Sequence, residues 1–482
     1  MLLTAQNAPK DTTMNDEIST AIDIMQRYAT VPRILPEHSQ TVANIMDRYF
    51  GDFQRNQNFR DVERCISPRF NDLLSHFDHE NGVSFATQYF LFCYTLAQDY
   101  KLVQNSIYEN VALPYKQWVL QKWNFFEPAV KKINVGGEYV FVCRHAVTRG
   151  GYAPGSSVFT FAKALLRVDR KVTILSFGEV SEDFEKLSDE YQNCNVMGLE
   201  QSSPTGRLLT LIEIFKLLKP RAVFTEIEFD VPSVFSILRP NMPVIYLSPG
   251  YYNLPWYDKI GLTDSLSLDP IGSRKKDFFE IPTYVANEIL DPTVSKEQVK
   301  QAKNSLGICD GDFVIGSLAR MEKFQEPFLQ VLYRVLEESN SVKILLAGPN
   351  DRSRVETSLD KFIKSGRALI LPSSDAHVLG HCLNLGVDTF PTHSGFSVLE
   401  LMAKGIPVVA KQDREMDANW RQRLPASLRK DDNSLIELIL ELATNPETYC
   451  NFCEETKKFM VSDGNDKKFI SSIDRALQHS YC

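Results

Sequence analysis

Arg320 and Lys323 stand in the stretch ARMEKFQEP, behind the apolar run DFVIGSLA and just ahead of a helix that begins near Pro327. Two cations at such a point suit a diphosphate, because an arginine grips phosphate oxygens with a planar fork while a lysine acts as a mobile point charge. Both would neutralise a departing nucleoside diphosphate. Further on, THSGFSVLELMAKGIPVVA places Ser394, Gly395, Phe396 and Ser397 at the start of another helix. Small residues there let backbone amides approach phosphate oxygens closely. Glu400 falls one helical turn further in, where a carboxylate accepts hydrogen bonds from the two hydroxyls of a ribose. Each feature has a plainer reading, as solvated cations or as a first-turn glutamate complementing the helix dipole. Their combination favours a nucleotide.

A second set of candidates lies earlier in the chain. The loop CRHAVTRGGYAPGSS follows an apolar strand, and Gly150, Gly151 and Gly155 let its backbone bend close to a bound ligand. His145 in that loop is a candidate base or hydrogen-bond partner, against the plainer reading of a structural histidine. After the run RAVFTE come Glu226, Glu228 and Asp230. One of them can act as a general base toward a bound nucleophile, if burial or like charge raises its pKa; a solvated acidic loop is the alternative, preferred for Glu228. His377 and His381 are four apart on an expected helix, a metal-compatible spacing, but no third ligand lies nearby in sequence. We read them as helix packing or base contacts and expect no metal.

These residues need elements to hold them. From Glu138 onward, short apolar runs alternate with amphipathic stretches: EYVFVC, SSVFTFAKALLRVD, KVTILSFG, TGRLLTLIEIFKLLK, RAVFTE and PVIYLS. Val158, Phe161, Ala162, Leu165 and Leu166 share one helical face, so that helix lies on a sheet. Crossovers of this length imply parallel strands. The Leu262–Pro292 segment lacks periodicity and reads as a bridge. The rhythm then resumes with DFVIGSLA, VKILLAG, RALILP, GVDTFP and IPVVA, and with helices around Pro327–Leu336, Ser353–Lys364, Ala376–Leu383 and Ser397–Ala403. Helical patterns around Ser434–Leu442 and Glu447–Met460 and a last amphipathic piece close the chain. The first part, with its aromatic run Phe85, Tyr89, Phe90, Phe92 and Tyr94, has helical spacing and reads as a packed helical core. The expected division is an all-helical domain over 1–133, an α/β domain over 134–287, and a second α/β domain with C-terminal helices over 288–482.

Composition narrows the class. The formal charge of −8 arises from 53 basic and 61 acidic residues scattered along the chain, so no basic stripe marks a nucleic-acid partner. No apolar run approaches the ~20 residues that a bilayer crossing needs, and the amino terminus lacks a basic leader with an apolar stretch. The nine cysteines show no regular spacing. Most, such as Cys93, Cys143 and Cys382, sit in apolar segments, and the lone pair Cys450 and Cys453 lies in a helical pattern. A reducing cytoplasm is the expected setting.

Strand, Arg-x-x-Lys, helix, then SGFSVLELMAKGIPVV resembles the donor half of GT-B glycosyltransferases, over roughly Val135 to Met460. The resemblance implies two facing Rossmann-like domains, 134–287 on the acceptor side and 288–482 holding the donor, with Arg320 and Lys323 on the diphosphate, the turn Ser394–Ser397 donating amides, and Glu400 on the ribose. Within that fold, VDTFPTHSG, LPSSDAHVLGHCLNLG and IYLSPGYYNLPWYDK are similar to segments of the bacterial adhesin N-glucosyltransferases and the O-GlcNAc transferases. That likeness places His377 at the nucleotide base and Tyr251 and Tyr252 on an acceptor loop. The adhesin enzymes' His-Pro-Ala-Thr run is replaced by Ser248-Pro249-Gly250-Tyr251-Tyr252, and the glutamate that glycogen-synthase-like enzymes carry eight positions before the ribose ligand is Thr392. The implied activity is transfer of a hexose from a nucleoside diphosphate sugar, a UDP-sugar being expected, to a protein side chain or a soluble glycan, with no cofactor. A lipid acceptor ranks lower, since no basic amphipathic helix is evident. The alternative is a non-catalytic GT-B subunit that binds a glycoprotein and stabilises or targets a partner transferase.

Overall fold

Parallel strands joined by helices organise the whole described chain. The computed structural model describes residues 136–148, 153–199, 204–225, 244–246, 261–263, 278–280, 290–372, 375–391, 393–412, 424–463 and 466–481, with isolated positions before them. Those isolated positions between 16 and 121, such as Ala21, Leu74 and Trp118, are helical, as the sequence leads one to expect. The aromatic run from Phe85 to Tyr94 lies outside the described residues.

The first sheet comprises β1 (Glu138–Cys143), β2 (Val172–Ser176), β3 (Cys194–Gly198), β4 (Pro220–Thr225) and β5 (Val244–Tyr246). Helices α1 (Ala153–Leu166), α2 (Glu182–Glu190) and α3 (Pro204–Leu218) connect its first four strands. All pairings are parallel, in the order β3-β2-β1-β4-β5. A parallel sheet is covered on both faces, which is why β1 and β2 are near-continuous runs of buried apolar side chains. The α1 face expected from the spacing is buried from Val158 to Leu166. A small parallel pair, β6 (Gly261–Thr263) with β7 (Phe278–Glu280), lies where the sequence shows no periodicity. Three-residue strands are too short to display an alternation.

The second sheet holds β8 (Phe313–Leu318), β9 (Val342–Ala347), β10 (Ala368–Leu371), β11 (Leu385–Val387), β12 (Val408–Lys411) and β13 (Leu428–Arg429), in the parallel order β10-β9-β8-β11-β12-β13. The helices of this half are α4 (Lys296–Ser305), α5 (Glu326–Glu338), α6 (Ser353–Ser358), α7 (Asp360–Lys364), α8 (Ala376–Gly380), α9 (Phe396–Ala403), α10 (Asp432–Thr444) and α11 (Pro446–Asp463). The single helix expected over Ser353–Lys364 is split at Leu359, which is wholly buried and leaves helical geometry with a φ of −112°. The driving force is visible in α5, which buries Phe328, Leu329, Val331, Leu332, Val335 and Leu336 against the sheet.

The last helix, α12 (Asp466–Tyr481), departs from the expected division. By sequence it belongs with the donor domain, yet Phe469, Ile473 and Leu477 are buried in the core of the first sheet. Phe469 stacks on Phe161 of α1 at a centroid distance of 4.5 Å, and Arg167 pairs with Asp466 at 3.1 Å. Chain order does not decide which sheet an amphipathic helix covers; its one apolar face goes to whichever surface lacks a cover.

Candidate active site

In an open parallel sheet the ligand crevice opens beyond the carboxyl ends of the strands, where the strand order reverses. In the second sheet the chain runs outward from β8 to β9 and β10, then returns to β11 on the other side of β8. The reversal therefore lies between β8 and β11. The loops leaving these two strands carry Arg320 and Lys323 on one side, and Ser394 to Ser397 on the other.

The loops are tied together there. A short 3-10 turn, Met321–Lys323, follows β8, and the Lys323 ammonium donates to the His393 carbonyl at 2.8 Å. Arg320 is exposed at the start of the turn. The turn is held from behind: the Met321 amide donates to the Pro349 carbonyl at 3.1 Å, and the Arg354 guanidinium lies 3.4 Å from the Met321 carbonyl. Gly348 permits this close approach of the loops after β8 and β9. A Cβ there would stand 1.8 Å from the Ala319 carbonyl oxygen, so backbone next to Arg320 would have to move. We expect Gly348→Ala to cost about 1–3 kcal/mol of stability, as overpacking does. It should also weaken nucleotide binding; an unchanged denaturation midpoint and unchanged affinity would show that the loop tolerates the shift.

Behind the second loop sit groups that the motifs in the sequence do not point to. Asp388, at the end of β11, accepts the Ser394 amide proton at 2.8 Å and lies 3.3 Å from Nδ1 of His393. Ser394 and Thr389 share a hydroxyl hydrogen bond of 3.0 Å. Ser394, expected to lend its amide to phosphate, is instead 3% exposed and braces the turn with both its amide and its hydroxyl. The signal available in the sequence was Asp388 itself, a lone charge at the end of the apolar run before the Ser-Gly turn.

The braced turn delivers the start of α9. Gly395 occupies its N-cap position and has no side chain with which to cap the helix, so the amides of Phe396 and Ser397 head it and carry its positive end. The N-terminus of α8 is different: the Asp375 carboxylate already accepts from the amides of His377 and Val378 at 3.0 and 3.2 Å. Of these two helix starts, that of α9 suits an added anion. One turn into α9, Glu400 is half-buried, and burial pushes its carboxyl up from the ordinary value while Lys404 pulls it back. His377 is held below the usual histidine range by burial first and by the Lys404 charge second. The two helix histidines engage separate partners: His377 Nδ1 lies 3.2 Å from Lys404, and His381 Nε2 lies 3.2 Å from Asp291.

In the first sheet the order reverses between β1 and β4. His145 follows β1, and its Nδ1 accepts the Glu179 amide proton at 3.2 Å. Burial, then the neighbouring Arg144, lowers its pKa, and with Nδ1 accepting from that amide the neutral ring carries its proton on Nε2. Of the two roles expected for His145, base or hydrogen-bond partner, the contact with the Glu179 amide is an instance of the second. Glu226, Glu228, Asp230, Gly150, Gly151, Tyr251, Tyr252 and Thr392 lie outside the described residues, as does the side chain of Phe396.

No family model matches the chain. Among curated proteins, the alpha-monoglucosyldiacylglycerol synthase of Streptococcus pneumoniae is 29% identical over 160 residues, which cover 31% of this chain and 36% of that protein. The chain thus matches little more than a third of the relative's length. Among solved structures, the O-GlcNAc transferase of Thermobaculum terrenum, in a mutant form, aligns with a TM-score of 0.56 at 11% identity, over 98% of both chains. The Anabaena protein HepE, solved with UDP and glucose, aligns with a TM-score of 0.53 at 14% identity, over 71% of this chain and 100% of its own. A glycosyltransferase from Rickettsia africae aligns with a TM-score of 0.55 at 14% identity, over 72% of this chain and 99% of its own. Among the described residues, no helix is long and apolar enough to cross a membrane.

Proposed function

We propose that this chain, which has the GT-B fold of paired parallel-sheet α/β domains, transfers a hexose from a UDP-sugar to an acceptor hydroxyl or amide, on a protein side chain or a soluble glycan. In the reaction the bond between the anomeric carbon and the β-phosphate oxygen breaks, and the anomeric carbon bonds to the acceptor oxygen or nitrogen. Charge accumulates on the leaving diphosphate. Arg320, Lys323 and the amides of Phe396 and Ser397 receive it; preorganised charge of this kind supplies a large part of many enzymes' rate enhancement. Glu400 accepts from the ribose hydroxyls and His377 meets the base. The acceptor's proton passes to Glu226 or Asp230, beyond β4, while His145 donates a hydrogen bond from Nε2.

One observation carries this reading: the 2.8 Å bond from Lys323 to the His393 carbonyl, which sets a cation at the head of α9 where the strand order reverses. HepE, whose fold this chain shares, was solved as a complex with UDP and glucose, and that supports a UDP-sugar as the donor class to try first. The curated relative's name points to a diacylglycerol-based acceptor for that protein, which makes a lipid the second acceptor class to try.

The purified protein, incubated with labelled UDP-glucose and UDP-N-acetylglucosamine, should bind at least one of them and release UDP slowly by hydrolysis, then faster with a peptide, glycan or diacylglycerol acceptor. No binding and no UDP release with any donor would favour a non-catalytic subunit. Glu400→Gln should weaken UDP binding about tenfold or more, since a hydrogen bond to a charged group contributes roughly 1.5–3 kcal/mol. Titration calorimetry reads this directly, and an unchanged Kd would remove Glu400 from the ribose contact.

A further inference from the structure

Lys404 lies one turn beyond Glu400, as the C-cap of α9. A lysine at a helix end commonly reaches toward the last carbonyls with its head in water. Here the side chain is 0% exposed. Its ammonium donates to the Leu290 carbonyl at 2.6 Å and to the Glu400 carbonyl at 3.1 Å, and stands 3.2 Å from Nδ1 of His377. Asp291, at 3.4 Å, is its counter-ion. A path is kept open for the stem by Gly380, where a Cβ would sit 3.0 Å from both Cδ and Cε of Lys404.

The valences decide the chemistry. An ammonium carries three protons and accepts nothing. Two go to the carbonyls of Leu290 and Glu400, and the third is shared between His377 Nδ1 and the Asp291 carboxylate; an ammonium 3.2 Å away disfavours a proton on Nδ1, so the lone pair faces it. The His377 proton is left on Nε2. Burial draws the Lys404 pKa down, but Asp291 and Glu400 act against that and favour the charged form. The groups around it are Glu400 on its own helix, His377 and His381 with the α8 cap Asp375, and Asp291 from the segment before α4. Lys457 of α11 approaches the adjoining Gly405, and the charge of Lys303 on α4 reaches nearby Cys382.

We propose that Lys404 is a positioning residue that sets the hydrogen-bonding sense of the nucleoside subsite, holding His377 as an Nε2–H donor toward the base and Glu400 as an acceptor-only carboxylate toward the ribose. The ligand half of this statement rests on the proposed UDP-sugar reading; the tautomer half does not. A lysine that only filled the core would influence melting and leave the ring proton and the pH profile alone.

The test uses the full chain labelled with nitrogen-15 at histidine, native and as Lys404→Met, with folding checked by circular dichroism. Long-range proton–nitrogen spectra of the ligand-free native protein should show His377 protonated on Nε2, and Lys404→Met should move part or all of that population to Nδ1. UDP affinity should fall about tenfold at pH 8, and the acidic limb of UDP binding should shift to higher pH, because Glu400 loses the cation that opposes its protonation. Lys404→Arg, which restores the charge, should recover part of the affinity. If Lys404→Met does not fold, Gly380→Ala, which presses on the lysine stem, is read by the same spectra. A native ring protonated on Nδ1, or an unchanged tautomer and pH limb in the variant, overturns the proposal. A native protein with the Nε2–H ring that binds no UDP overturns the donor reading and leaves the tautomer half standing.

Discussion

Lys323→Met is expected to lower turnover by about a hundredfold, the loss that follows removal of one preorganised partner of the developing charge. The stem length is kept, so packing of the 3-10 turn changes little, while the charge and the bond to the His393 carbonyl are lost. Because negative charge on the leaving diphosphate is larger in the transition state than in the bound donor, kcat should fall further than KM rises. Steady-state kinetics with saturating acceptor, read as UDP release, separates the two. Turnover within a factor of about three of native would remove Lys323 from the leaving-group site, whatever its distance from α9. Arg320→Met should have a smaller effect, since Arg320 is an exposed side chain at the mouth of the same turn and solvent screens its charge.

Phe469→Ala is expected to destabilise the protein by about 3–5 kcal/mol, the usual cost of emptying a buried aromatic site. Its ring is 0% exposed and stacks on Phe161, so the cavity opens between α12 and α1. The flanking ion pairs Arg167–Asp466 and Arg170–Asp474 are partly exposed and offset little of this. Since α12 covers the first sheet yet follows α11 of the second, the loss should be felt by both halves. Denaturant unfolding followed by far-UV circular dichroism reads it as a lower midpoint. A change below about 1 kcal/mol would show that α12 docks without contributing to the core.

Much of the candidate site is legible in the chain itself. Arg320, Lys323, Gly395, Ser397 and Glu400 stand out because loops after parallel strands and starts of helices have readable signatures, and the structure does bring Lys323 to the α9 turn. Composition alone points Ser394 at phosphate, and its burial beneath Asp388 and Thr389 cannot be read from a stretch of small residues. His145 has two open roles in the sequence, which does not say which ring nitrogen is occupied; the Glu179 amide, 34 positions away, decides it. Lys404, by sequence, is one more charge at the end of a helix.

The amino-acid sequence by itself determined the alternation of strand and helix, the parallel pairing that long crossovers require, and the loops in which cations and small residues gather. These are local properties, written in hydrophobic period and connection length over a dozen or so residues. Tertiary structure alone decided that α12 covers the first sheet, that Ser394 is a brace, and that Lys404 is enclosed. The partners are remote: Lys404 meets Leu290 from 114 positions away and Lys323 meets His393 from 70. Whether a charge is solvated or buried, and which proton it directs, depends on surfaces that exist only once both sheets have packed.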